Sequence, residues 1–100
     1  MKNFNERVWE LTKKIPKGNI STYKLVAEAL GSKCYRAVGN ALNKNPYAPI
    51  VPCHRIVSSN GHLHGFAYGL KAKQEMLEKE GLLIKNYKIV DFEKKLYSFK

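Results

Sequence analysis

The sequence predicts a mainly α-helical fold with one small β-hairpin. Three observations carry that prediction: apolar residues recur at helical spacing in the first half, prolines crowd positions 46, 49 and 52, and an Asn-Gly pair stands at 60 and 61. With 100 residues the chain can assemble one hydrophobic core, so residues 1–100 are read as a single domain. A composition of 44% hydrophobic and 26% charged residues is that of a soluble globular protein, and no apolar run approaches the roughly 20 residues of a membrane-spanning helix. Glu6, Arg7 and Glu10 interrupt the amino terminus and exclude a secretory signal there, so the expected location is intracellular, cytoplasmic or nuclear.

Taken in order, Phe4, Val8, Leu11 and Ile15 form the stripe of an amphipathic helix over residues 4 to 15, which Pro16 ends. After the Lys17-Gly18-Asn19 turn, Ser21 is expected to cap a second helix whose inward residues include Leu25, Val26, Ala29 and Leu30, with Gly31 as its stop. Ser32 is then expected to cap a third helix over 33 to 44, burying Tyr35, Val38 and Leu42 and leaving Arg36, Asn40 and Lys44 outside. Two short helices joined by a Gly turn make a helix-turn-helix, winged-helix-like in the company of a hairpin. Pro46, Pro49 and Pro52 forbid helix and stiffen the next segment, which delivers Cys53 to Val57 as a short apolar strand. The turn at Ser59-Asn60-Gly61 would fold that strand into the hairpin. Gly65 to Gly69 reads as a loop, and residues 70 to 80 as a helix with Leu70, Met76 and Leu77 inward and Gly81 beyond its end. From Leu82 to Lys100 no clean period emerges, and that tail is expected only to pack on the domain.

Eighteen Lys and Arg against eight Asp and Glu leave a formal charge of +10, for which a polyanion is the natural partner. The excess is uneven: residues 11 to 55 hold Lys13, Lys14, Lys17, Lys24, Lys33, Arg36, Lys44 and Arg55 against only Glu28. Cys34 and Cys53 can form one bridge at most, fewer than a small secreted scaffold normally carries, so free thiols are expected.

Pro52-Cys53-His54-Arg55 sets a nucleophilic thiol beside a side chain that titrates near neutrality. Successive side chains of an extended backbone face opposite ways, so His54 is expected to reach Cys53 through a relay rather than directly. Such a histidine needs its other ring nitrogen held, ideally by a carboxylate. Other fates of the thiol stay open at this point. A buried structural cysteine is common. Cys53, His54, His62 and His64 supply enough ligands for a metal, though not at the usual paired spacing. A cysteine protease would need a cleft and an oxyanion hole in a very short chain, and would leave the basic charge without a role.

The segments Ile15-Pro-Lys-Gly-Asn-Ile-Ser-Thr-Tyr23, Arg36-Ala-Val-Gly-Asn-Ala-Leu42, Asn45-Pro46 and Val51-Pro-Cys-His-Arg-Ile-Val57 stand in an order that resembles the O6-alkylguanine-DNA alkyltransferases. Gly61, Gly65, Gly69, Lys73 and Leu77-Glu-Lys-Glu80-Gly81 continue the match, which covers about residues 4 to 81. The resemblance implies SN2 transfer of an alkyl carbon from guanine O6 to Cys53, with His54 taking the thiol proton through a water and Glu80 orienting His54. A thioether does not hydrolyse, so each molecule would act once. Tyr23 matches a hydroxyl donor to guanine N3, and Asn45 matches a residue that orders the site. Ile56, Phe66, Ala67 and Tyr68 would line the alkylguanine pocket, with the Ala67 N–H facing O6. Phe66, Tyr68 and His64 depart from frequent family residues, and should reshape that pocket without touching the nucleophile.

Reaching O6 requires extruding the nucleotide from the duplex. By resemblance, Arg36 takes the place of the flipped base, while small Ala37 and Gly39 let the recognition helix lie in the minor groove, with Ser21, Thr22, Asn40 and Lys44 as further DNA contacts. The expected partner is double-stranded DNA carrying O6-alkylguanine, bound with little sequence specificity by a monomer. No cofactor and no metal are expected, the match beginning almost at Met1 and so without the family's frequent amino-terminal domain. Two alternatives belong to other classes. One is an alkyltransferase-like protein that binds alkylated bases without reacting, although such proteins place another residue where Cys53 stands. The other is a helix-turn-helix regulator reading the major groove.

Overall fold

The computed structural model of the chain describes residues 3–47, 50–63, 69–97 and 99. Helix α1 spans Phe4–Lys13 and opens on a reciprocal cap, in which Asn3 Oδ1 accepts from Glu6 N and the Glu6 carboxylate accepts from Asn3 N. It buries Val8 and Thr12, and Trp9 Nε1 donates to Ala41 O at 2.7 Å, tying it to the third helix. Strand β1 is Ser21–Thr22, and α2 follows at Tyr23–Ala29. The cap is Thr22, whose hydroxyl accepts from Leu25 N, and not Ser21, which already lies in the strand. The buried stripe of α2 runs through Val26 and Ala27, flanked by the half-buried Tyr23 and Leu30, so that Ala29 falls outside it and is exposed.

Gly31 stops α2 at φ +71°, a conformation that carries no penalty without a Cβ. Helix α3 spans Tyr35–Asn43 and has Cys34, not Ser32, at its cap position; the Ser32 hydroxyl accepts from Cys34 N instead. Val38, Ala41 and Leu42 are buried as periodicity demands, but Tyr35 is 44% exposed. Side chains lean toward the helix N-terminus, and at the first residue that direction leads off the packed surface.

The region after the prolines departs most from expectation. Cys53–Arg55 is a single 3-10 turn rather than extended chain, and only Ile56–Val57 form a strand, β2. That strand pairs with β1 in parallel, Ser21 opposite Ile56 and Thr22 opposite Val57, and not with a strand beyond Asn60-Gly61. Both of its side chains are fully buried, as suits a parallel pair covered on two faces. The hairpin lies in the tail, where β3 (Ile84–Lys85) and β4 (Lys88–Ile89) pair antiparallel. Asn86 and Tyr87 turn it with φ of 53° and 59°, the positive values that a two-residue turn of matching twist requires.

Helix α4 spans Leu70–Lys79 and buries Leu77 as expected, while Leu70 is exposed and Lys73 takes an unexpected place inside. A short α5, Phe92–Lys95, is the last element among the described residues. Ile20 N donates to Lys95 O and Tyr97 N to Ile20 O, which joins the tail to the segment before β1. Two hydrophobic clusters result among the described residues. Ile56 belongs to the one built by α1, α2 and α3, and Val57 to the one formed with Ile20, Leu63, Leu77, Leu82 and Ile89. Alternation along β2 therefore makes that strand the partition between them, with the Cys53 turn at its entrance.

Candidate active site

Lys73, Leu77 and Glu80 are spaced four and three residues apart and so share one face of α4, directed at the Cys53 turn. Glu80 is the hub. Its Oε2 meets His54 Nε2 at 3.0 Å and Arg55 NH2 at 2.6 Å, and its Oε1 accepts from Arg55 Nε at 2.9 Å. This is a two-pronged guanidinium–carboxylate pair, the geometry in which both partners are held most firmly. Arg55 NH1 also donates to Ile15 O at 2.7 Å, anchoring the turn to the end of the first helical segment. Lys73, fully buried, donates from Nζ to the carbonyl of Ile56, the residue immediately after the turn.

The charges follow from this packing. Burial alone would raise the Glu80 carboxyl, but hydrogen bonds and positive charge from Arg55 and His54 outweigh it and hold the group below its ordinary range. His54 moves down, chiefly because it is buried and also because Arg55 and Lys73 are positive, against the pull of Glu80. The 3.0 Å contact by itself would suit an ion pair. With the imidazole favoured neutral, it is better described as an Nε2–H donating to carboxylate, which leaves the Nδ1 lone pair basic. Tyr23 is pushed up to about 12 by burial and by the charge of Cys53, and thus keeps its hydroxyl proton. Lys73 is pulled down to about 8 by burial, with Cys53 opposing that shift.

Cys53 is a free, half-buried cysteine, and among the described residues no hydrogen bond joins its sulfur to His54. Asn45 ties the approach to it, donating from Nδ2 to Val51 O and accepting at Oδ1 from Tyr47 N. On α3, Arg36, Asn40 and Lys44 (its C-cap) are exposed, and Ala37 and Gly39 half-exposed. A Cβ on Gly39 would stand 3.9 Å from the Tyr23 ring, ordinary contact distance. Ser21 and Thr22, expected among the DNA contacts, are buried in β1, and the Thr22 hydroxyl is used as a cap, which removes their side chains from the exposed set. Ile56 is a core residue rather than a visible pocket wall. Phe66, Ala67, Tyr68 and His64 lie outside the described residues. Among those described, no group of three or more His, Cys, Asp or Glu is placed to hold a metal ion, and no helix is long and apolar enough to cross a membrane.

Arg55 and Lys73 stand in the segments that carry the resemblance, but the sequence gives neither a role in the site. For Lys73 the signal was its register with Leu77 and Glu80, which places it on the inward face of α4.

The profile of the 6-O-methylguanine DNA methyltransferase DNA-binding domain matches residues 3–82. The chain belongs to this family. The methylated-DNA–protein-cysteine methyltransferase of Methanosarcina acetivorans is 48% identical over 79 residues, which are 78% of this chain and 51% of that protein. The chain thus spans about half the length of the curated relatives it matches. Mycobacterium tuberculosis OGT in complex with DNA superposes with a TM-score of 0.76 at 40% identity, covering 80% of this chain and 50% of the other. S. pombe Atl1, bound to damaged DNA containing O6-carboxymethylguanine, superposes with a TM-score of 0.81 over 98% of this chain and 99% of its own, at 24% identity, a likeness of fold alone. The α2–Gly31–α3 unit is accordingly the helix-turn-helix of a family concerned with repair of methylated DNA.

Proposed function

We propose that the chain removes the alkyl group from O6-alkylguanine in double-stranded DNA by transferring it irreversibly to Cys53. The observation that carries this reading is the His54–Glu80–Arg55 assembly beside the thiol. Glu80 occupies one ring nitrogen of a histidine favoured neutral, so the other is a base that can take the thiol proton through one water. The sulfur then attacks the alkyl carbon. The S–C bond forms as the C–O6 bond breaks, and guanine leaves with the electron pair of the broken bond. The proton received by His54 remains in the site to return guanine to its neutral form. Tyr23, protonated throughout the physiological range, can donate a hydrogen bond to the departing base, where negative charge develops. Nothing reverses the thioether, so turnover is single.

DNA binding is assigned to α3. Its exposed Arg36 would fill the space of the extruded nucleotide, and Asn40 and Lys44 would meet the backbone. Gly39 supports the placement, because the interior leaves room for a methyl group there. Glycine within a helix costs about 1 kcal/mol relative to alanine. A surface that must approach DNA closely is a reason for it that internal packing does not supply.

The test is intact-protein mass spectrometry after incubation with a duplex containing O6-methylguanine, followed by peptide mapping. One methyl group per molecule, located on Cys53, is expected. Lesion binding without a mass change would instead establish a non-reactive lesion sensor.

A further inference from the structure

We infer that Trp9 and Tyr47 are positioning residues that set the spacing between helix α3 and the segment carrying Cys53. This rests on the reading of Cys53 as nucleophile and of α3 as the helix that holds the duplex. Trp9, half-buried on α1, touches both parts at once. Its Nε1 donates to Ala41 O at 2.7 Å in the last turn of α3, where carbonyls lack amide partners further along the helix. Within that turn Ala41 O accepts from Lys44 N at 3.2 Å while Asn45 N passes to Leu42 O, so the shorter indole bond is the firmer hold on the carbonyl. The same indole meets the Tyr47 ring edge-on, with centroids 5.7 Å apart and planes at 81°.

Tyr47 carries that contact to the nucleophile. Its N donates to Asn45 Oδ1, its carbonyl accepts from Val51 N, and Asn45 Nδ2 donates to Val51 O, which closes a ring of three hydrogen bonds. The Val51 carbonyl also accepts from Cys53 N at 2.8 Å. From Ala41 to Cys53, then, each link is a hydrogen bond or a ring contact. The segment is otherwise open on this side: a groove of about 530 Å³ lies between α1 and Tyr47, Ile50 and Val51, and Tyr47 and Ile50 are 55% and 70% exposed. A segment so exposed needs an outside reference to stay in register with α3, and the ring pair supplies one. The spacing matters because an extruded nucleotide stays tied to a duplex held at α3 and must present its alkyl carbon in line with the sulfur. A misplacement of about 1 Å at reacting atoms can cost about 100-fold in rate.

The experiment uses the full chain with Cys34→Ser, so that Cys53 is the thiol followed. Single-turnover methyl uptake is measured against the concentration of a duplex containing O6-methylguanine, giving a saturating rate and a half-saturating concentration for the parent, Y47L, Y47F and W9F. Capping of Cys53 by iodoacetamide without DNA reports the thiol's own reactivity. Y47L should lower the saturating rate about tenfold and leave both the half-saturating concentration and the capping rate unchanged. Y47F, which keeps the ring, should restore the parent rate. W9F, which keeps a ring but loses the N–H to Ala41 O, should slow uptake by a smaller factor. A saturating rate in Y47L equal to the parent's would overturn the inference, as would a fall matched by an equal fall in capping or a change confined to the half-saturating concentration. If W9F does not fold, the Y47L and Y47F pair decides alone, since that side chain is more than half exposed. A parent that takes up no methyl group overturns the nucleophile reading and this inference together, whereas an active parent with an undisturbed Y47L overturns this one alone.

Discussion

The outer face of α3 and the inner face of α4 put charge to opposite uses. On α3, Arg36 stands in solvent, with Lys44 likewise exposed at the helix end. On α4, Glu80 and Lys73 are turned inward and bonded to His54, Arg55 and the Ile56 carbonyl. A cation left in water keeps its hydration until a polyanion displaces it, so such a face gives salt-sensitive, sequence-tolerant affinity. A charge taken into the interior must be answered at once, and the answer fixes geometry. One face leaves its charge open to solvent and the other holds a turn still.

That contrast is broken most completely at Cys53, the proposed nucleophile. Cys53→Ala should abolish alkyl transfer while leaving affinity for a lesion duplex nearly unchanged, as measured by mass spectrometry and a binding titration in parallel. Next comes the clamp. Glu80→Ala should slow transfer about 100-fold by releasing His54. It should also cost about 2 kcal/mol in urea unfolding, because Arg55 loses its half-buried, charge-assisted partner. The parent protein should lose stability on acidification for two reasons of the same sign. Glu80 is held below its ordinary value when folded, so its contribution is complete above the unfolded value of about 4.5 and disappears as pH falls through the folded one. His54 stays neutral in the fold at pH values where the unfolded chain takes up a proton, so stability begins to fall below about 6.5. Below about pH 4.5, where the Glu80 contribution is lost, urea midpoints should decline less steeply in Glu80→Ala.

On the other face the effects are smaller and fall on binding. Arg36→Ala should weaken lesion-duplex binding by about tenfold, a loss of roughly 1.4 kcal/mol, with transfer at saturating DNA slowed where extrusion limits it. Gly39→Ala separates fold from function: stability should rise by about 0.5–1 kcal/mol while DNA binding weakens several-fold. A gain in both would remove the case for close approach at that position. Lys44→Ala should lower the slope of log affinity against log salt by about 0.9 if it meets one phosphate, and leave transfer at saturation untouched.

The helices were legible because their signals are local. The Phe4, Val8, Leu11 stripe, the stop at Gly31 and the Val38–Leu42 face all lie within a turn or two of the residues they organise. Apolar Ile56 and Val57 look the same in a hairpin and in a parallel pair, so local sequence cannot distinguish the two. The hairpin was placed at Asn60-Gly61 by its turn chemistry, yet formed at Asn86-Tyr87, where the tail's mixed composition hid any alternation.

The sequence by itself determined helices α1 to α4, the cationic excess and the adjacency of thiol and imidazole in Cys53-His54. Each of these is a property of neighbouring residues or of a sum over them. Tertiary structure alone decided that Cys53 sits on a tight turn, that Glu80 grasps both His54 and Arg55 from about seven helical turns' worth of sequence away, and that Lys73 lies inside. Whether a charge is solvated, paired or buried depends on which distant surfaces close over it, and no periodicity within one helix carries that information.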